Sequence, residues 1–160
     1  MILIAHRGNI NGPESMLENK PEFIDSALNL NYHVEIDVWV VDDKIFLGHD
    51  KPEYKIGLNW LVDRFEKLWI HCKNVGAIIF FKNLDIDFNF FWHENDVLTL
   101  TSNNYIWANP GKQPIEDSIA VLPEINNDDI SKCLGICSDY ISKYNFSLKW
   151  QKIENQKNHL

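Results

Sequence analysis

Short apolar segments rich in β-branched and aromatic residues recur along the whole chain, and helical patterns separate only some of them. The segments cover residues 2–5, 34–41, 44–47, 68–72, 88–92, 97–100, 105–107, 119–122 and 136–140. Residues 18–31 carry Phe23, Ala27 and Leu30 at helical spacing, with Ile24 and Leu28 beside them. Residues 58–67 repeat the pattern through Leu61, Val62 and Phe65. Residues 74–84 read as a helix, although their Ala-Ile-Ile-Phe-Phe run also suits a strand, and 128–134 read as a short helix. Strands alternating with helices predict a mainly parallel α/β sheet. A (β/α)8 barrel usually takes about 250 residues, whereas this chain has 160. From residue 88 to 107 strand signals follow one another with little room for helices. The expected fold is a compact or truncated (β/α)8 TIM-type barrel with some outer helices missing in the middle of the chain. It forms one domain over residues 1–142, followed by a polar helix or tail over 143–160.

Charge and composition exclude several classes of function. A formal net charge of -8 without a basic run speaks against a surface that tracks nucleic-acid phosphates. No apolar run approaches the ~20 residues of a membrane span, and no basic region with a signal-length apolar stretch opens the chain. The expected location is cytoplasmic. Cys72, Cys133 and Cys137 are an odd number, which gives no disulfide framework. Cys133 and Cys137 have the spacing of one helical turn, yet no second Cys/His pair accompanies them as a structural zinc site needs. They read as small buried thiols.

The polar residues of the first third carry the chemistry. Along a strand, residues i and i+2 share a face about 6.5–7 Å apart. In Val34-Glu35-Ile36-Asp37-Val38 the aliphatic residues therefore take one face and the two carboxylates the other. Two like charges on an interior face repel, and a hard divalent cation such as Mg²⁺ or Ca²⁺ relieves them. His6 ends the first strand, where an α/β sheet places its active site. Arg7 offers a planar fork for phosphate oxygens, and Gly8 permits a sharp exit. His49 follows a hairpin over 40–48 that turns at Asp42-Asp43. Two histidines let one imidazole take a proton while the other supplies one.

Ile4-Ala5-His6-Arg7-Gly8, Glu18-Asn19, Glu35-Ile36-Asp37-Val38 and Leu47-Gly48-His49-Asp50 together resemble the glycerophosphodiester phosphodiesterase family, within the wider group of phospholipase-C-like phosphodiesterases. The family has Pro-Glu-Asn where this chain has Leu17-Glu18-Asn19, and Pro13-Glu14-Ser15 is a second match to that element. The resemblance implies that His6 and His49 are the catalytic pair, that Arg7 holds phosphate, and that Glu35 and Asp37 bind a divalent cation. The family's third strand reads Glu-x-Lys. Here it is His71-Cys72-Lys73, so Lys73 matches as a phosphate contact while His71 stands where an acid is expected. As a ligand, His71 favours Mn²⁺ or Zn²⁺ over Ca²⁺.

Later residues match more loosely. Gly135-Ile136-Cys137-Ser138-Asp139-Tyr140 is similar to the family's final strand, with Asp139 either bracing the sheet end or touching substrate. Glu124, at the end of a strand, is an additional candidate acid. His93-Glu94 and Asp96 read as a polar turn rather than a second metal site, and Trp107 reads as core packing or pocket wall.

The expected activity is metal-dependent hydrolysis of a small phosphodiester such as a glycerophosphodiester. The substitution at His71 also suits a non-catalytic module that binds a phosphorylated ligand. Phospholipase-type headgroup cleavage needs a membrane-facing surface that this acidic chain does not advertise. A barrel short of helices leaves strand faces bare, so a homodimer is the expected way of covering them.

Overall fold

In the computed structural model, residues 1–145 are described. Thirteen strands and helices follow one another, β1 (Ile2–His6), α1 (Pro21–Asn29), β2 (His33–Val41), β3 (Lys44–Leu47), β4 (Tyr54–Ile56), α2 (Leu58–Val62), β5 (Leu68–Cys72), α3 (Val75–Lys82), β6 (Asn89–Phe91), β7 (Leu98–Leu100), β8 (Ile106–Ala108), β9 (Ser118–Val121) and β10 (Gly135–Ser138), and residues 141–145 are helical after them. Short 3-10 turns occupy Phe65–Lys67 and Pro123–Ile125. No helix among the described residues is long and apolar enough to cross a membrane.

All ten strands belong to one sheet. β6, β5, β2, β1, β10, β9 and β8 lie side by side and parallel. β7 runs antiparallel to β8, and the β3–β4 hairpin is antiparallel on the far end of β2. The sheet curls so that Trp69 of β5 and Trp107 of β8 meet across its concave side, with ring centroids 5.8 Å apart. Ile4, Phe91, Ile119, Val121 and Cys137 complete that inner cluster. On the convex side Val34, Ile36, Val38, Leu68, Ile70 and Cys72 pack against Ile24 and Ala27 of α1 and Ala77 and Phe81 of α3. Each Val, Leu, Ile or Phe among them contributes about 1.5–3 kcal/mol by leaving water. Alternation along β2 thus turns the aliphatic residues outward to the helices and Glu35 and Asp37 inward.

The (β/α)8 barrel expected from the sequence does not form. Among the described residues no strand ladder joins β6 to β7, so the curl stays open. The seam is bridged instead by Ser102, whose N–H donates to Phe90 O at 2.8 Å and whose Oγ accepts from Phe90 N at 2.9 Å. Among the described residues helices follow β1, β4, β5 and β10, the last over residues 141–145, and no α-helix lies between β6 and β10. The reason is chemical. The β8–β9 link carries Pro110, Gly111 and Pro114, which break helices. The expected helix over 128–134 is an irregular loop, because Asp128 and Asp129 spend their carboxylates on the backbone N–H groups of Gly111 and Ser131. Residues 58–67 split into α2 and a 3-10 turn around Arg64, which donates to Trp60 O and grips Asp25 with two bonds. Residues 74–84 resolve as helix α3, with the Asn74 side chain capping Ala77 N–H at 2.9 Å. Cys137 lies on β10 while Cys133 precedes it, and all three cysteines are free. Of the polar helix or tail expected over 143–160, residues 143–145 are helical and the remainder lies outside the described residues.

Candidate active site

Register decides which side chains meet. β1 sets His6 opposite Glu35 on β2, and β2 sets Asp37 opposite His71 on β5. The carboxyl ends of these strands therefore bring residues far apart in sequence to one end of the concave face. A cavity of about 340 Å³ opens there, lined by His6, Arg7, Glu35, His49, His71 and Lys73 on one side. Trp92, His93, Trp107, Asn109, Pro110 and Leu122 line the other. Its volume suits a small molecule.

Asp37 has no exposure and anchors the floor. Its N–H donates to Asn19 Oδ1 and its Oδ2 accepts from Asn19 Nδ2, both at 2.9 Å. Arg7 Nε stands 3.2 Å from the same Oδ2. The other oxygen, Oδ1, lies 3.0 Å from His71 Nδ1 and 3.4 Å from Lys73 Nζ, yet accepts no aligned hydrogen bond. Glu35 sits beside it, with Oε1 3.9 Å from His71 Nδ1 and Oε2 accepting from Arg7 N at 3.2 Å. Burial works against the charge on Asp37, but His71, Arg7 and Lys73 outweigh it and hold its pKa far below the carboxylate range. Burial and the charge of Asp37 push Glu35 the other way, above its ordinary value. A cation held beside such a pair would offset the repulsion between the two acids. One donor atom from each of Glu35, Asp37 and His71 lies within 4.8 Å of the others. These residues fit a divalent ion.

Arg7 is aimed by a turn that costs energy. It adopts φ +53, and Gly8 after it adopts +90. A left-handed non-glycine residue costs of order 1–3 kcal/mol. Any side chain at Gly8 would meet Phe23 at 2.8 Å. Glu18 Oε2 accepts from Arg7 Nη1 at 3.1 Å, and Asn19 N donates to Arg7 O at 3.1 Å. Of the two sequence matches near residues 13–19, only Glu18-Asn19 reaches the site, since Pro13, Glu14 and Ser15 are exposed. Asn19 is itself left-handed, at φ +61. Asn19→Ala is expected to lower stability by about 1–3 kcal/mol, because Asp37 loses two bonds in a buried setting. Thermal unfolding should record about 2–4 °C for each kcal/mol.

The two histidines occupy different surroundings. His6 is part-buried, and its Nδ1 donates to Asp139 Oδ1 at 2.8 Å while its Nε2 stands 3.9 Å from Glu35 Oε2. Burial alone would lower its pKa, but the bond to Asp139 and the charge of Glu35 prevail and raise it. His49 stands on the loop after β3, more open to solvent, with Nδ1 2.7 Å from Asp50 Oδ1. Gly48 makes that loop possible, for at φ +145 a Cβ would lie 2.2 Å from Lys51 O. Trp39 Nε1 ties the loop down by donating to Gly48 O at 2.6 Å.

Glu124, an expected site acid, does not line the cavity. Its Oε1 accepts from Ser138 Oγ at 2.8 Å and from Asp139 N at 3.3 Å, so it fixes the residue that fixes His6. Asn9 does similar work, donating to both Glu18 Oε1 and Asp139 Oδ1. Sequence reading did not single out Asn9, and its spacing gives no signal. Nor did it place His93 in the site, since 93–96 read as a turn. The turn exists, but the His93 ring lies against that of His71 with centroids 4.3 Å apart. Burial, with His71 and Lys73 nearby, pushes the His93 pKa down to about 4. Trp107 is both core and wall.

Comparison with known proteins finds no family model that matches this chain, and no match among curated proteins or solved structures.

Proposed function

We propose that this protein is a metal-dependent phosphoric diester hydrolase acting on a small phosphodiester such as a glycerophosphodiester. The observation that carries the reading is the convergence in one cavity of two histidines, an arginine and a lysine over the buried Glu35–Asp37–His71 group. A divalent cation held by those three residues would neutralise charge developing on the phosphoryl oxygens. Arg7 and Lys73 present further positive charge to the same oxygens, each steadied from behind by Asp37. His6, part-buried and bonded to Asp139, is suited to hold a proton and give it to the departing alkoxide as its bond to phosphorus breaks. His49, with Asp50 at its far nitrogen, takes the proton of the attacking hydroxyl as the new P–O bond forms. That hydroxyl comes from water or from the alcohol of the substrate itself.

The test is release of alcohol from glycerophosphodiesters and from bis-(p-nitrophenyl) phosphate by metal-stripped protein, before and after adding Mg²⁺, Ca²⁺, Mn²⁺ or Zn²⁺. Turnover restored by at least one ion and removed by chelation is expected. Tight binding of a diester with no turnover under any ion would convert the reading to that of a binding module.

A further inference from the structure

The third donor of the cation site is an imidazole, and the surrounding bonds fix which of its nitrogens faces the acids. His71 Nε2 lies 3.3 Å from the carbonyl oxygen of His93. A carbonyl only accepts, so Nε2 carries the hydrogen. In the neutral ring the lone pair is then on Nδ1, which lies 3.0 Å from Asp37 Oδ1 and 3.9 Å from Glu35 Oε1. Without an ion, a proton on Nδ1 offsets the charge of Asp37 at that range; a divalent cation takes its place by displacing the proton, since a ligating imidazole nitrogen must be deprotonated. The ring is also held in place. It lies parallel to the His93 ring within 5° and to the Phe91 ring within 6°, at centroid distances of 4.3 and 5.3 Å. Asp37 Oδ1, buried and without an aligned hydrogen bond, faces the same point.

Oxygen-only sites suit Mg²⁺ and Ca²⁺, whereas imidazole shifts preference toward first-row transition ions. We infer that Glu35, Asp37 and Nδ1 of His71 form a two-carboxylate, one-imidazole site that selects a transition ion such as Mn²⁺ or Zn²⁺ over Mg²⁺ and Ca²⁺. The His93 carbonyl and the rings of Phe91 and His93 are its positioning elements. The inference rests on the cation reading given above and adds the identity of the ion and of the donor atom.

Calorimetric titration of metal-stripped protein with each of the four ions tests it, alongside the same titrations on His71→Glu. The ratio of Mn²⁺ to Mg²⁺ affinity should fall in the variant by on the order of 10–100-fold, the scale on which even outer partners of a ligand act. An unchanged ratio overturns the inference while leaving the cation reading intact. Should no ion bind the wild-type protein, both fail. A second measurement is independent of any variant: long-range ¹H–¹⁵N correlation spectra of the Zn²⁺-loaded wild-type protein. His71 should show a protonated Nε2 and a metal-shifted Nδ1, and the opposite pattern would overturn the inference.

Discussion

Glu35→Gln is expected to give a protein that is more stable without metal and inert with it. The sign follows from burial. Glu35 is almost wholly enclosed beside Asp37, and its pKa is raised above the ordinary 4.5. For a carboxylate so raised, stability present below the unfolded value is lost as pH rises through the folded one. At neutral pH the wild-type fold therefore bears a cost that the amide removes, while the amide oxygen keeps the bond from Arg7 N. The metal-free variant should gain about 1 kcal/mol, read as about 2–4 °C in Tm, and the gain should vanish below pH 4.5. The rise in Tm that a cation gives the wild type should be lost, together with turnover. A variant less stable than wild type at pH 7 would show that Glu35 is a structural acid instead.

Loss of either imidazole is the second large effect. His6→Ala and His49→Ala should each reduce kcat by about 10²–10⁴-fold, the usual worth of a positioned acid or base. Both should remain folded, since neither ring belongs to the apolar core. The pH profile separates their roles. As proton donor, His6 is active when charged, and its pKa is raised above 6.5. The alkaline limb of kcat should then lie above that value, with activity falling as pH rises through the His6 pKa. Asp139→Asn removes the partner that raises it, so the limb should move to lower pH. Glu124→Gln, acting through Asp139, should move it the same way by less. A limb that does not move in Asp139→Asn would exclude His6 as the acid.

Much of this site was legible because strands have a period of two. The placement of Glu35 and Asp37 on one face, and of Val34, Ile36 and Val38 on the other, needs only alternation. His71 on β5 and Lys73 just past its end follow by the same rule. The second half of the sheet was less legible. Helices were expected between strands there, but Pro110, Gly111, Pro114 and the backbone-seeking Asp128 and Asp129 prevent them, so the barrel never closes. β4 went unnoticed because three residues with Lys55 at the centre give almost no pattern. Partners joined only by long-range pairing were also hidden. Asp139 reaches His6 across 133 positions, and His93 lies over His71 only because β6 aligns Phe91 with His71. Asn19 is a further case, for its role depends on a left-handed backbone that composition does not announce.

An anomalous difference map from crystals grown with Mn²⁺ bears most directly on the chemistry assigned here. The expected peak lies between Glu35, Asp37 and Nδ1 of His71, on the side facing His6 and His49. A map without a peak at that point, from protein whose diester turnover survives chelation, would contradict the assignment.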